Sequence, residues 1–236
     1  SLESESFTDA NNGWILGYYG KIFHTSNGGN EWTLQFQLPD GYYYSIKFIN
    51  SLKGWVSGNL TPWNESVIYK TTDGGQTWQI SYLNLYTPGV LDLNFVNENY
   101  GCGVGIHGVN MLTINGGGGW SVLTQGFNNW LYSVHSTSEF HSWAVGQDGT
   151  ILKTTDGYNW INQVSGTEEQ FNSIYMVNDW VGYIVTQNGN IFKTNSGGII
   201  PVELTAFAAT VENHNVSLKW QTATETNNQG FQIERS

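Results

Sequence analysis

Along most of the chain, apolar and polar residues alternate one by one. The runs "GKIFH" (20–24), "SVIYK" (66–70), "GVNML" (108–112), "GTILK" (149–153) and "GNIFK" (189–193) share that pattern. A second set precedes them: "SIKFIN" (45–50), "DLNFVN" (92–97), "YSVHS" (132–136) and "SIYMVN" (173–178). A period of two predicts half-buried β-strands, and no segment with a helical period competes. Between the two kinds of run stands a small residue followed by a ring or a thiol: Gly13-Trp14, Gly54-Trp55, Gly101-Cys102, Ser142-Trp143 and Gly182-Tyr183. After each run of the first kind comes a threonine-led turn, at Thr25, Thr71, Thr113, Thr154 and Thr194, so the unit recurs every 40 to 46 residues.

Each unit reads as strand, turn, strand, short loop, strand, glycine turn, strand. Four short strands in about 40 residues predict one blade of a β-propeller. The fold class is therefore all-β, with five repeats visible in a ring of about five to seven blades. The fifth repeat is expected to lack its outer strand and the first most of its inner one.

The turns read "HTSNGGNEW", "KTTDGGQTW", "LTINGGGGW", "KTTDGYNW" and "KTNSGG". Asn27, Asp73, Asn115 and Asp156 can accept from turn amides, the glycines permit positive φ, and Trp32, Trp78, Trp120 and Trp160 can pack between blades. A phosphate loop needs a following helix, and here a strand follows. A calcium loop needs several oxygen ligands, and each turn offers one acid or amide. The turns are fasteners.

These residues carry a resemblance. "TTDGGxTW" is similar to the Asp-box, S/T-x-D-x-G-x-x-W, of BNR repeats. Joined to the upstream Gly-Trp pair it resembles the photosystem II assembly-factor-like family of BNR propellers, over about residues 6 to 198. The resemblance implies that the box lies between the third and fourth strands of a blade. It gives a fold rather than a task. From Pro201 the pattern changes, and "PVELTAFAATVENHNVSLKW" resembles the first strands of the fibronectin-type-III-like module found in type IX secretion substrates of Bacteroidota. The domains are thus read as propeller repeats over 1–199 and a truncated β-sandwich module over 200–236. The resemblance implies a secreted or cell-surface protein, with signal peptide and sorting domain outside this chain.

Composition narrows the function. The formal charge is −11, from 19 acids and 8 bases. Such a chain repels phosphate backbones and anionic lipid heads, so nucleic acid is not an expected partner. No apolar run reaches the roughly 20 residues of a membrane span, so membrane insertion is not expected. The single cysteine, Cys102, stands where other repeats carry tryptophan and reads as a buried filler. The histidines form no metal spacing, and neither a cofactor nor a metal is expected. Sialidases grip a substrate carboxylate with three arginines. The one arginine here, Arg235, lies in the tail.

Xyloglucanase-type hydrolases use two carboxylates across the scissile bond, and Asp40, Asp148, Glu168 and Glu169 on the loops are the acids available for such a pair. No catalytic residue is assigned. The loops opposite the glycine turns collect Tyr42, Tyr43, Trp63, Tyr86 and Trp130, with Tyr18 and Tyr19 nearby. Rings beside amides and acids on a rigid scaffold suit a polysaccharide or a protein ligand. The expected function is non-enzymatic binding or adhesion. The alternatives are a polysaccharide hydrolase and a structural spacer.

Overall fold

The computed structural model describes residues 1–61, 65–123 and 125–197, with the backbone of two further strands at 202–212 and 215–222. Blade one holds β1 (Leu2–Phe7), β2 (Gly13–Gly17), β3 (Lys21–Thr25) and β4 (Thr33–Gln37), hydrogen-bonded in that order. Blade two holds β5 (Gly41–Phe48), β6 (Gly54–Leu60), β7 (Glu65–Thr71) and β8 (Gln79–Asn84). Blade three holds β9 (Val90–Phe95), β10 (Gly101–Gly105), β11 (Asn110–Thr113) and the short β12 (Ser121–Val122). Blade four holds β13 (Leu131–Ser136), β14 (Ser142–Gly146), β15 (Ile151–Thr154) and β16 (Trp160–Gln163). Blade five holds β17 (Phe171–Met176), β18 (Gly182–Thr186) and β19 (Ile191–Thr194), continued by β20 (Val202–Glu212) and β21 (Asn215–Thr222).

All these pairings are antiparallel, and the inner strands lie side by side in the order β1, β5, β9, β13, β17.

Two details differ from the sequence reading. Blade one has its inner strand: Leu2–Phe7 pairs with β2 from Leu2↔Gly17 to Phe7↔Gly13. Its "LESESF" puts Glu5 where other blades set Ile46, Leu93, Val134 and Ile174, which hides the strand from a hydrophobicity pattern. Blade five also gains an outer partner, because β20 joins β19 at Phe192↔Glu203 and Lys193↔Val202.

The blades are clasped by a repeated ring ladder. Trp14 of blade one stacks on Phe48 of blade two at 3.7 Å and 8°, and Phe48 meets Trp78 edge-on at 5.9 Å. One blade further, Trp55 stacks on Phe95 at 3.7 Å, and Phe95 meets Trp120 edge-on. Indoles also reach the next blade's glycine turn: Trp14 Nε1 donates to Gly74 O, Trp55 Nε1 to Gly116 O and Trp143 Nε1 to Gly197 O. Between blades three and four small groups replace the rings, with Cys102 Sγ 3.3 Å from Ser136 Oγ. Burial pushes the Cys102 thiol up to about 11, so it stays protonated in this core. The ladder ends at uncovered positions, Phe7 of blade one and Tyr183 of blade five, which are 48% and 37% exposed.

A second seam runs along the inner strands, where side chains of one blade accept from backbone N–H groups of the next. Ser4 and Ser6 take the amides of Ile46 and Phe48, Ser45 that of Leu93, and Asp92 and Asn94 those of Val134 and Ser136. Ser133 and His135 then take those of Ile174 and Met176. Each bond satisfies an amide that the sheet's own ladder leaves over.

His135 makes this seam pH-sensitive. Burial, with Lys47 nearby, pushes its imidazole down to about 4, so Nδ1 stays unprotonated and accepts from Met176 N–H. The unfolded chain takes up the same proton near 6.5. The contribution is therefore complete above pH 6.5 and declines as the pH falls toward 4, by up to about 3 kcal/mol. His135→Asn, which places the acceptor found at Asn94 of blade three, is expected to remove that part of the acid slope. Urea midpoints of both proteins between pH 7 and 4.5 check this, and parallel curves would refute it.

Candidate functional site

The glycine turns use their polar atoms internally. Thr71 Oγ1 donates to Asp73 Oδ1 at 2.8 Å and accepts from Gly75 N–H at 2.9 Å. Asp73 Oδ1 also accepts from Thr77 N–H, and its Oδ2 from the Thr77 hydroxyl. The same bonds recur around Thr25 with Asn27, Thr113 with Asn115, and Thr154 with Asp156. The Asp73 and Asp156 carboxyls are held below the usual carboxylate range, Asp73 chiefly by the Thr77 hydroxyl and Asp156 by the Asn159 amide. Each turn is also tied to its own blade, as in Gly74 N–H to Leu52 O and Gly116 N–H to Asn99 O. Trp32 and Trp78 sit edge-on to Phe7 and Phe48, Trp120 donates to Ser81 Oγ, and Trp160 is buried in the core between blades three and four. Nothing in these turns is left to hold a ligand.

The opposite face is built from the second-to-third strand turns and the blade-to-blade crossings. In three turns the middle residue is left-handed without being glycine: Tyr19 at φ 59°, His107 at 55° and Asp148 at 52°. Polar and small residues tolerate that region best, so an aromatic there is unusual. Gly20 follows Tyr19 at φ 74°, and a Cβ on it would stand 2.7 Å from the Tyr43 ring. The backbone is thereby fixed while the side chain before it is free to face outward.

Between blades one and two this face opens a groove of about 520 Å³, lined by Tyr19, Gln37, Asp40, Gly41, Tyr42 and Thr61. Tyr18 and Tyr19 lie with ring centroids 4.1 Å apart at 55°, and both are exposed, as is Tyr42 at 48%. Gln37 Nε2 donates to Tyr19 O at 2.5 Å and to Leu38 O at 3.0 Å, which fixes the turn to the crossing. Thr61 donates to Asp40 O through both N–H and hydroxyl. The Asp40 carboxylate is exposed and takes no hydrogen bond among the described residues. The Tyr19 hydroxyl, by hydrogen bond and charge, raises the Tyr18 phenol above its ordinary value, and Tyr42 and Glu3 add to the effect.

Tyr43 is a correction. Expected on the ligand face, it is 3% exposed and lies in the core between blades one and two. The register of β5 against β6 shifts between Tyr43 and Ser45, and that bulge reverses which side chains point inward. Val90, Leu131 and Phe171 occupy the same place in their blades and are buried too, a signal present in the sequence. The Tyr43 hydroxyl donates to Pro39 O at 2.9 Å, so it braces the floor of the groove. Tyr43→Phe is expected to cost about 1 kcal/mol in a urea titration while leaving the fold intact.

Of the other predicted residues, Tyr86 is 92% exposed on the crossing to blade three and lies outside the groove. Trp130 is exposed at 38% near the crossing between blades three and four, with His107 edge-on at 6.2 Å and Tyr132 at 6.4 Å. Trp63 lies outside the described residues. Asp148, Glu168 and Glu169 share a second groove between blades four and five, where Asn190 Nδ2 donates to both oxygens of Glu169. Asp40 is alone in the first. Sequence reasoning did not find Gln37 and Thr61, because only the bonds to Tyr19 and Asp40 give them a place.

Residues 2–90 match a family model described as Photosynthesis system II assembly factor YCF48. The Photosystem II assembly lipoprotein Ycf48 of Synechococcus sp. (strain CC9902) is 27% identical over 151 residues, covering 61% of this chain and 42% of that protein. Among solved structures, YCF48 bound to D1 peptide has a TM-score of 0.66 at 20% identity, over 93% of this chain and 75% of that one. The chain has a β-propeller fold and is similar to Ycf48 over part of its length. The GH74 enzyme of Niastella koreensis also reaches a TM-score of 0.66, at 15% identity, over 86% of this chain and 38% of the enzyme. The chain thus matches less than half the length of its curated Ycf48 relative. Among the described residues, no helix is long and apolar enough to cross a membrane.

Proposed function

We propose that this chain is a non-enzymatic binding propeller that holds an extended segment of another protein on its loop face. The observation that carries the reading is the groove between blades one and two. Exposed tyrosines stand over a braced floor, with the carboxylate of Asp40 and the amide of Gln37 at hand. Such rings supply contact area at little entropic cost, and the polar groups orient what they touch. The Ycf48 structure with a D1 peptide offers a precedent in a related fold. A secreted or surface location is part of the proposal. It draws on the fibronectin-like pattern of residues 200–236 and on the lipoprotein nature of the Synechococcus relative.

A sugar ligand is the second reading, favoured by the same exposed rings and by the likeness to GH74 propellers. Asp40 stands apart from Asp148 and Glu168 in the second groove, where Glu169 is tied to Asn190, so a hydrolytic reading would rest on Asp148 and Glu168 alone. Electrophoresis of the native chain through xyloglucan gels, with reducing ends assayed and an array of random decapeptides probed in parallel, separates the readings. Retention on peptides without sugar release is expected. Release of reducing ends would overturn the non-enzymatic reading, and retardation by xyloglucan alone would favour the second.

A further inference from the structure

The groove has a chemical character beyond being aromatic. Its lining residues carry one charge, the Asp40 carboxylate, and no cation. Tyr18 extends the ring surface on the other side, and Glu3 lies close enough to add to the upward push on the Tyr18 phenol. Glu3 is itself anchored, accepting from the Ser1 hydroxyl at 2.6 Å. Phenol faces are the negative side of an aromatic quadrupole, so three of them beside a free carboxylate favour a positive guest. The whole chain, at −11, adds a field that draws cations toward it. The left-handed turn at Tyr19 fixes the backbone from which that ring projects, which lowers the ordering cost of binding.

Resting on the protein-binding reading above, we propose that Tyr18, Tyr19, Tyr42 and Asp40 form a clamp for a lysine or arginine side chain of the bound segment. The cation lies over the tyrosine faces, and its N–H groups donate to the Asp40 carboxylate. The aliphatic stem of the guest covers the remaining ring area, and Gln37 and Thr61 border it. Arginine is the better guest of the two, because its planar fork can stack and pair with a carboxylate at once.

The test uses the chain as it stands, titrated with acetyl-arginine amide, acetyl-lysine amide, acetyl-citrulline amide and a xyloglucan heptasaccharide. Tyrosine ring resonances report the site by NMR. The arginine and lysine amides are expected to shift the Tyr18, Tyr19 and Tyr42 rings, with citrulline weaker by about tenfold. Asp40→Asn should lose about fivefold for arginine and leave citrulline unchanged, and Tyr42→Ala should lose about tenfold for arginine. All the altered side chains are on the surface, and a thermal melt confirms that each variant is folded. Equal shifts from arginine and citrulline, shifts from the sugar alone, or no shift at all would each overturn the clamp. Decapeptides that bind and depend on Tyr42 without preferring a basic residue would overturn it while leaving the protein-binding reading in place.

Discussion

Trp55→Ala is expected to lower stability by about 3–5 kcal/mol, more than a change at any exposed ring. Trp55 is fully buried, stacks on Phe95 of the next blade, and donates its indole N–H to Gly116 O. Truncation leaves a cavity in the seam between blades two and three and an unpaired turn carbonyl. In a repeat fold each blade is stabilised mainly by its neighbours, so one opened seam weakens both sides. Trp55→Phe keeps one aromatic ring for the stack but removes the bond and part of the indole's volume, and should lose less than the alanine variant, about 2 kcal/mol. Urea unfolding followed by fluorescence and by circular dichroism measures both. A loss below about 1 kcal/mol for the alanine variant would mean that the ring ladder does not hold the blades together.

The second large effect is expected at Asp92, a half-buried acid on the inner seam. Its Oδ1 accepts from the Ser45 hydroxyl at 3.0 Å and from Leu93 N–H at 2.9 Å, and its Oδ2 accepts from Val134 N–H at 2.9 Å. One side chain thus ties blades two, three and four. Asp92→Leu orphans the Ser45 hydroxyl of blade two and the Val134 amide of blade four, and about 3 kcal/mol should be lost. Asp92→Asn keeps one acceptor oxygen and should lose roughly half of that. Burial raises the Asp92 carboxyl above its ordinary value, against the pull of Lys47 and the Val134 amide. A raised acid contributes most in the acid range, and its contribution declines as the pH rises through the folded value, opposite in sign to His135. Asp92→Asn should therefore steepen the net loss of stability on acidification, which a pH series of urea midpoints would reveal. An unchanged slope would contradict the role given to this carboxyl.

Much of the fold is written in the sequence because a propeller repeats its constraints. The threonine of each glycine turn must bond the same amide in every blade, so Thr25, Thr71, Thr113 and Thr154 keep their spacing. The indole at this position must donate to the next blade's glycine turn, so Trp14, Trp55 and Trp143 recur. What escapes is whatever a single blade does differently. β1 carries serines and acids because Ser4 and Ser6 use their hydroxyls to hold blade two, and no apolar pattern marks it. Tyr42 and Tyr43 are alike to a composition reading, and only the bulge after them sends one outward and the other into the core. The groove was half legible. Tyr42 and Asp40 could be placed on the loop face, but the opposition of Tyr19 across from them depends on a left-handed turn that no tyrosine announces.

The most direct measurement compares the decapeptide array for the native chain, for Tyr42→Ala on the loop face, and for Trp180→Ala on the exposed turn beneath blade five. Native binding should be lost by at least about tenfold in the first variant and kept in the second. Binding that survives Tyr42→Ala, or that disappears with Trp180→Ala, would place the ligand elsewhere and contradict the loop-face groove as the binding site.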